Sequence, residues 1–429
     1  MSYQNDIAFA QQMDEADPLR SYRQQFHFPQ HEGRNVYYFT GNSLGLQPKS
    51  VRAYVEEELE AWERLGVEGH FKDHKRPWAE YHRFSKSSLA KLVGAQESEV
   101  VSMNGLTVNL HLLMVSFYRP DGKRHKIICE AGAFPSDQYM FESQLKFHGY
   151  NPEEALIELK PREGEQTLRQ EDILAKIEET GEELALVLMA GVQYYTGQLF
   201  DMKSITAAGR AAGAIVGFDL AHAMGNVPLG LHDWGVDFAT WCSYKYLNSG
   251  PGNVSGIYVH EKHGNNPNLP RFAGWWGHNE EARFLMEKGF QPMTGADGWQ
   301  LSNVNVLSTA AHLASLAIFD EVGMEALREK SLKLTGYLEF LINDISGDQN
   351  LFEIITPADP QARGCQLSIF CHQHGSALFD KLNAEGVIAD WREPNVIRVA
   401  PVPLYNSFED AYHLARILKE SISEGLESH

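Results

Sequence analysis

The chain has 429 residues, with 37 Lys and Arg against 57 Asp and Glu, so its formal net charge at pH 7 is −20. Its 43% hydrophobic and 11% aromatic residues are enough for a sizeable core, which excludes a wholly disordered chain. The negative charge, without any block of basic residues, excludes a nucleic-acid or anionic-membrane surface.

The first residues, MSYQNDIAFAQQMDEAD, have neither the basic start nor the apolar stretch of a secretion signal. The apolar runs 105–118 and 184–200 are too short and too often interrupted by polar residues to span a bilayer. The four cysteines show no CxxC spacing, which is typical of proteins in a reducing compartment. We therefore expect a cytoplasmic protein without membrane contact.

Short apolar segments alternate with segments of helical periodicity through the first three quarters of the chain. The predicted strands are 125–129, 184–192, 214–220, 238–242 and 256–260, and the predicted helices between them are 137–148, 170–179 and 202–212. The strands are apolar throughout, as in strands that helices cover on both faces. This order predicts an α/β fold with a mostly parallel sheet, whose ligands bind beyond the carboxyl ends of the strands.

The last quarter of the chain changes character. Its predicted elements are long helices at 310–322 and 324–345, short strands near 365–370 and 396–399, and a closing helix with Ser407 as its N-cap. They predict a smaller α+β domain. We place the large domain at residues 35–305 and the small domain at residues 1–34 and 306–429.

Two predicted strands end in residues that can carry chemistry. Asp219 ends one strand and is followed by His222, and Lys245 follows the end of the next. An amine in such a position can form a Schiff base with a carbonyl cofactor. Pyridoxal phosphate (PLP) needs that lysine, together with a carboxylate that keeps its ring nitrogen protonated. The spacing fits PLP and fits a merely structural aspartate and lysine equally well.

A phosphate site is also predicted. Residues 104–107 precede an apolar helix, so the N–H groups of its first turn and the Thr107 hydroxyl can hold an anion, although ordinary N-capping explains the same residues. Tyr244 is either a further side chain of the site or a packed strand residue. A nicotinamide enzyme is a weaker interpretation, because no Gly-x-Gly-x-x-Gly segment follows an early strand.

Segments distributed in order over nearly the whole chain resemble the kynureninase family. They are TGNSLGLQP (40–48), LTVNLHLLM (106–114), AFPSDQY (133–139), KPREGEQTLR (160–169), YYTGQLFDM (194–202), GFDLAHAMGNV (217–227), LHDWGVDFATWCSYKYLNSGPG (231–252), GWWGH (274–278), LSN (301–303), RGCQLSI (363–369) and RVAPVPLYNSF (398–408). The resemblance implies a fold-type I, aminotransferase-like PLP enzyme that works as a homodimer with shared active sites. It also implies hydrolysis of L-kynurenine or 3-hydroxy-L-kynurenine to L-alanine and an anthranilate, in tryptophan degradation or NAD biosynthesis.

The resemblance also implies roles for individual residues. Lys245, Asp219 and Tyr244 match the catalytic residues, Lys245 as the Schiff-base lysine and Asp219 as the partner of the ring nitrogen. Further matches to cofactor contacts are Leu106, Thr107 (phosphate), Phe134 (stacked on the ring), Pro135, Ser136, Asp137, His222 and, from the partner subunit, Trp275 and Asn303.

Matches to substrate-binding residues are Asn42, Ser43, His70, Ser302, Asn303 and Arg398. Arg398 is implied to bind the α-carboxylate, with which a guanidinium forms a bidentate pair. The combination of His70, Ser302 and Asn303 resembles the branch of the family that favours 3-hydroxykynurenine. Ala190 departs from relatives that carry a serine, and we expect the lost hydroxyl to cost about 1 kcal/mol of cofactor affinity.

Alternatives remain open at this stage. One is another PLP enzyme of the same fold, a cysteine desulfurase or an aminotransferase, and another is a binding protein that has kept the scaffold. A desulfurase needs a nucleophilic cysteine on a mobile loop, whereas Cys365 and Cys371 lie in apolar, strand-like surroundings. We expect no metal site, because Cys371, His372 and His374 are too close in a strand-like run to converge on one ion.

Overall fold

A computed structural model describes residues 3–72, 74–347 and 351–423. Its helices are α1 Ile7–Glu15, α2 Val51–Leu65, α3 Lys86–Val93, α4 Leu106–Phe117, α5 Pro135–Phe147, α6 Pro152–Ala155, α7 Gln170–Thr180, α8 Met202–Ala211, α9 Leu231–Trp234, α10 Glu261–Gly264, α11 Val306–Val322, α12 Met324–Ser346, α13 Gly375–Ala384 and α14 Phe408–Ser423. Over the described residues, none of these helices is both long and apolar enough to cross a membrane.

The strands fall into one large sheet, one small sheet and two short pairs. They are β1 Gln30–His31, β2 Arg34–Asn35, β3 Tyr37–Tyr38, β4 Val100–Ser102, β5 Lys126–Glu130, β6 Leu156–Leu159, β7 Leu184–Ala190, β8 Ile215–Asp219, β9 Phe238–Trp241, β10 Gly256–Val259, β11 Phe352–Ile354, β12 Leu367–Cys371, β13 Val387–Ile388, β14 Asp390–Arg392 and β15 Val396–Val399.

The large sheet has seven strands in the order β4-β10-β9-β8-β7-β5-β6. The pairs from β9 to β6 are parallel, and β10 is antiparallel to both of its neighbours, β9 and β4. Residues of β7 and β8 belong to two hydrophobic clusters, one on each face of this sheet, so both faces are covered. The prediction of a mostly parallel α/β sheet is confirmed.

The register of the sheet brings functional side chains to one edge. Asp219, the last residue of β8, pairs with Ala190 at the end of β7 and with Thr240 near the end of β9. Glu130 ends β5, the next strand beyond β7. The carboxyl ends of these parallel strands therefore line one edge, and Lys245 follows β9 at the same edge.

A second, smaller sheet is built from the last part of the chain. Its order is β11-β12-β15-β14 and its pairs are antiparallel. The helices α1, α12, α13 and α14 pack with this sheet around a separate hydrophobic cluster. Ser407 caps α14 as predicted, because its Oγ accepts a hydrogen bond of 3.0 Å from Asp410 N. The domain boundaries at residues 34/35 and 305/306 stay a proposal.

Candidate active site

A cavity of about 360 Å³ lies beyond the carboxyl ends of β5, β7, β8 and β9. Of the cofactor residues predicted from the sequence, those that line it are Leu106, Thr107, Phe134, Ser136, Asp137, Asp219, His222, Tyr244 and Lys245. Pro135, which also belongs to that prediction, is the first residue of α5 and lies between two lining residues. These side chains come from four segments of the chain, so the fold brings together most of the predicted cofactor site.

The Lys245 amine lies in this cavity between an imidazole and an aromatic ring. Its Nζ is 3.0 Å from His222 Nε2 and 5.6 Å from the centroid of the Phe134 ring. Burial, together with the nearby charge of Lys245, lowers the pKa of His222 well below its usual value, so the imidazole is neutral. A neutral His222 can accept a hydrogen bond from the lysine at Nε2.

Three carboxyl groups are buried at the same end of the cavity. Asp219 accepts a 2.7 Å hydrogen bond from Ala221 N, and Glu130 accepts one of 3.2 Å from Ala190 N. Burial and the neighbouring Asp219 raise the pKa of Asp137 well above its usual value, and burial raises the pKa of Glu130 to about 7. Burial also raises the pKa of Asp219, against the hydrogen bond from Asp137. Asp137 is therefore the member of the pair that keeps its proton, and its O–H donates a hydrogen bond to the Asp219 carboxylate.

The N-terminus of α4 faces the cavity at the other end. Gly105 is the N-cap residue and makes no side-chain capping bond, and no acidic residue lies in the first turn. Leu106 and Thr107 are the first two helical residues, and both line the cavity. The free N–H groups and the helix dipole make this turn suited to an anion such as a phosphate.

The loop that carries Lys245 is fixed by the segment 40–48. Gly45 N donates a 2.9 Å hydrogen bond to Tyr244 O. A Cβ on Gly45 would lie 2.4 Å from the Lys245 carbonyl oxygen, so only glycine allows this approach. Tyr244 itself lines the cavity, and burial raises the pKa of its phenol, which therefore keeps its proton near neutral pH.

Arg398 lies on β15 of the small sheet and is 1% exposed. One of its terminal nitrogens donates a 2.6 Å hydrogen bond to Tyr194 O, and the other pairs with the Asp390 carboxylate. Its Nε is buried without a hydrogen-bond partner. Because Tyr194 lines the cavity, this contact connects the arginine to the site.

Asn42 is linked through Gln366 to the Tyr194 carbonyl oxygen that Arg398 also contacts. Its amide donates to Gln366 Oε1 at 2.8 Å, and Gln366 in turn donates to Tyr194 O at 3.0 Å. Asn42 is buried and its Oδ1 has no hydrogen-bond partner. Two of the predicted substrate residues, Asn42 and Arg398, thus lie on one hydrogen-bonded network beside the cavity.

The other predicted residues do not line the cavity of this chain. Ser43, Ser302 and Asn303 are exposed, and the Trp275 side chain is 44% exposed and donates through Nε1 to Arg283 O. His70 packs edge-on against Trp78, with ring centroids 5.3 Å apart. The roles of these residues stay predictions.

Three residues that shape the site were not predicted from the sequence. Glu130 ends a buried strand as Asp219 does, so the same signal would have found it. Tyr194 and Asp390 gave no such signal. Asp390 contacts Arg398 through the register of β14 with β15, and Tyr194 contacts it from a distant part of the chain, and no local pattern encodes either contact.

Solved structures define the class to which this fold belongs. The chain is similar to the apo structure of a cysteine desulfurase from Thermococcus onnurineus NA1, with a TM-score of 0.74 at 16% identity over 91% of this chain and 95% of that chain. A C-DES mutant with glycine covalently linked to its PLP cofactor matches with a TM-score of 0.73 at 15% identity, over 90% and 96%. The fold is that of the aminotransferase-like PLP enzymes, as predicted.

Curated relatives then identify the family. A kynureninase from Flavobacterium psychrophilum is 62% identical over 99% of this chain and 100% of its own length, and one from Flavobacterium johnsoniae is 61% identical over 98% and 99%. A family model described as the kynureninase C-terminal domain matches residues 327–418. The chain belongs to the kynureninase family, and the family assignment made from its motifs is confirmed.

Proposed function

We propose that the chain hydrolyses the Cβ–Cγ bond of L-kynurenine, 3-hydroxy-L-kynurenine or both, with PLP as cofactor. The products are L-alanine and anthranilate or 3-hydroxyanthranilate, which places the reaction in tryptophan degradation or NAD biosynthesis. The observation that carries the proposal is the convergence of an amine, a buried carboxylate and a helix N-terminus on one cavity in a member of the kynureninase family.

The residues of the cavity fit PLP. Lys245 offers an amine for the aldehyde carbon, Asp219 offers a buried carboxylate for the ring nitrogen, and the first turn of α4 with the Thr107 hydroxyl offers donors for the phosphate. Phe134 lies beside the lysine, lines the cavity and is 42% exposed, so its ring can stack on a planar cofactor ring. When bound, PLP supplies an electron sink for the charge that develops on the substrate.

Lys245 and His222 act together in the proton transfer at the substrate Cα. The Lys245 Nζ is the base that takes the Cα proton, because its side chain lines the cavity in which the substrate would bind. His222 accepts a hydrogen bond from that amine and, being neutral, does not repel it. His222 is therefore proposed to orient the lysine in addition to contacting the cofactor.

The carboxyl pair sets the charge at the ring nitrogen. Asp137 keeps its proton and donates a hydrogen bond to Asp219, so this pair carries one negative charge rather than two. A single ionised carboxylate in a buried site holds a proton on a nearby ring nitrogen. This arrangement supports the proposed role of Asp219 and assigns Asp137 the role of fixing its orientation.

Tyr244 and Arg398 act on the rest of the substrate. The Tyr244 hydroxyl keeps its proton and is the proposed donor after the Cβ–Cγ bond breaks. Arg398 binds the α-carboxylate, and its unpartnered Nε gives it a donor to offer, although Asp390 already occupies part of the guanidinium. The carboxylate therefore shares the guanidinium with Asp390.

A cysteine desulfurase activity is not supported by the cysteines of the chain. Cys129, Cys242, Cys365 and Cys371 are all buried and unpaired. Burial raises the pKa of Cys365 and of Cys371 to about 12, so neither supplies a thiolate near neutral pH. Four unpaired, buried cysteines also support our proposal of a cytoplasmic location.

We further propose a homodimer with shared active sites. Large apolar side chains are exposed in the region of His70 and Trp275, namely Phe71, Phe284, Leu285 and Met286. Phe284 contacts Phe71 and Trp275, with ring centroids 5.7 and 5.5 Å apart, so these residues form one surface. A second copy that covers this surface would bring Trp275 and Asn303 to the partner's cavity.

The choice between the two substrates depends on the proposed aryl pocket. His70, Ser302 and Asn303 offer polar groups, and a polar site rejects an analogue that lacks the matching hydroxyl because its own groups are left unpaired. We therefore propose that 3-hydroxy-L-kynurenine is preferred. A His70→Phe variant should lower the ratio of kcat/KM for the hydroxylated over the plain substrate.

The proposal is tested by supplying the PLP-loaded enzyme separately with L-kynurenine, 3-hydroxy-L-kynurenine and L-cysteine. We expect the aryl acid and alanine in equal amounts from at least one of the first two, and no sulfide from the third. A Lys245→Ala variant is the matched control and should release neither product. Sulfide release, or turnover of neither kynurenine, would overturn the proposal.

A further inference from the structure

A second cluster of titratable side chains lies at the opposite edge of the large sheet. Glu99 directly precedes β4, His232 lies in α9 before β9, and His260 directly follows the antiparallel β10. All three are therefore at the end of the sheet away from Lys245. Their candidate ligand atoms lie within 4.8 Å of one another.

The two imidazoles approach the same carboxylate oxygen. Glu99 Oε1 is 3.0 Å from His232 Nδ1 and 3.7 Å from His260 Nδ1, and the two rings stack with centroids 5.1 Å apart. The carboxylate is completely buried, and hydrogen bonds from Gln96 N and Glu261 N fix its orientation. Such outer contacts are what hold a metal-binding carboxylate in place.

One of these approaches has no hydrogen bond to explain it. His260 Nδ1 accepts a 3.2 Å hydrogen bond from Lys262 N, so this nitrogen carries a lone pair and not a proton. It nevertheless lies 3.7 Å from an oxygen of Glu99, which is also an acceptor. A zinc-class cation needs an imidazole nitrogen without a proton, and an ion bound here would take over the lone pair that now accepts from Lys262 N.

We propose that Glu99, His232 and His260 form a binding site for one divalent zinc-class cation. Ligand atoms about 2.0–2.1 Å from a tetrahedral zinc ion lie roughly 3.3 Å apart, and the two measured separations of 3.0 and 3.7 Å lie on either side of that spacing. Two imidazole nitrogens with one carboxylate favour zinc over magnesium or calcium, which prefer oxygen ligands.

The site is reachable and its role is structural. The His232 side chain is 29% exposed and that of His260 13%, so an ion can enter from solvent and a water can take the fourth position. A bound ion would join the segments before β4, before β9 and after β10. It would therefore stabilise this edge of the sheet and leave the reaction at the opposite edge unchanged.

The test uses the full-length, tag-free, PLP-loaded enzyme after treatment with a chelator and removal of that chelator. Zinc is then added, and bound zinc per chain and the thermal midpoint Tm are measured. The variants are His232→Gln and His260→Gln, alone and together. The matched control is His263→Gln, because His263 lies nearby but hydrogen-bonds Asp237 instead of Glu99.

We expect one zinc per chain and a rise in Tm with zinc concentration in the wild type and in the His263→Gln control. Loss of either ligand histidine should weaken zinc binding by at least about 100-fold, since even residues that only orient a metal ligand contribute roughly 10- to 100-fold. Turnover should be the same in every variant. The proposal is overturned if the wild type retains no zinc, or if the double variant binds zinc as tightly as the wild type.

Discussion

Replacing Glu130 by glutamine tests whether a buried carboxyl group of the cavity is protonated in the folded, cofactor-free protein. Glu130 is 3% exposed, and burial raises its pKa from 4.5 to about 7. Between these two values the folded state binds more protons than the unfolded state, so the free energy of unfolding falls as the pH rises. Each pKa unit corresponds to about 1.4 kcal/mol, which makes the total about 3 kcal/mol.

Glutamine removes this dependence without removing the contact with the backbone. Its Oε1 can still accept the hydrogen bond from Ala190 N, but it does not titrate. Asp137 and Asp219 titrate in both proteins, so the difference between wild type and variant reports Glu130 together with its charge interactions with these two groups. We expect the stability of the wild type relative to the variant to fall by about 3 kcal/mol between about pH 4.5 and about pH 7.

The assay is urea unfolding of the cofactor-free proteins, followed by tryptophan fluorescence from about pH 5 to about pH 8. The full-range difference is obtained by fitting the pH dependence to a single titrating group. A difference in stability that does not change with pH, or that grows in favour of the wild type as the pH rises, would refute the reasoning. It would mean that Glu130 is ionised when folded.

Three further predictions concern the site and its support. Lys245→Ala should abolish the visible absorption that PLP gains on binding and reduce turnover by at least about 10²–10⁴-fold with unchanged circular dichroism; retained absorption would contradict it. Arg398→Lys should raise KM about 10- to 100-fold with a smaller change in kcat, because lysine loses the planar fork; an unchanged KM in steady-state kinetics would contradict it. Gly217→Ala should cost about 1–3 kcal/mol in urea unfolding, since the new Cβ would lie 2.4 Å from Phe238 Cζ; wild-type stability would contradict it.

The central strands of the fold could be predicted because strands buried on both faces consist almost entirely of apolar residues. Strands β7 and β8 are apolar on both faces, and their observed bounds differ from the predicted ones by at most two residues at each end. The direction of β10 could not be predicted in this way. Its four apolar residues GIYV read the same whether the strand runs parallel or antiparallel, and only its pairing with β9 decides.

The site residues likewise divide into those that a local sequence pattern indicates and those that only the tertiary structure brings into place. Lys245, Asp219 and Thr107 lie at the ends of strands or at the start of a helix, where sequence position alone indicates exposure to a ligand. Arg398 gave no local signal and was assigned only through the family resemblance. Its partner Asp390 was not assigned at all, because the pairing arises from the register of β14 with β15.

The charge of the cavity depends on its few lining residues and on their burial, and not on the net charge of the chain. Among the described residues that line the cavity, Lys245 is the only Lys or Arg, although a phosphate must be bound there. Three carboxyl groups in so small a volume would repel that phosphate if all were ionised. Burial raises the pKa of Asp137 well above its usual value and that of Glu130 to about 7, which reduces this negative charge, and the first turn of α4 offers uncharged donors. We therefore propose that the site binds its anion through dipoles, which leaves the one lysine for covalent chemistry.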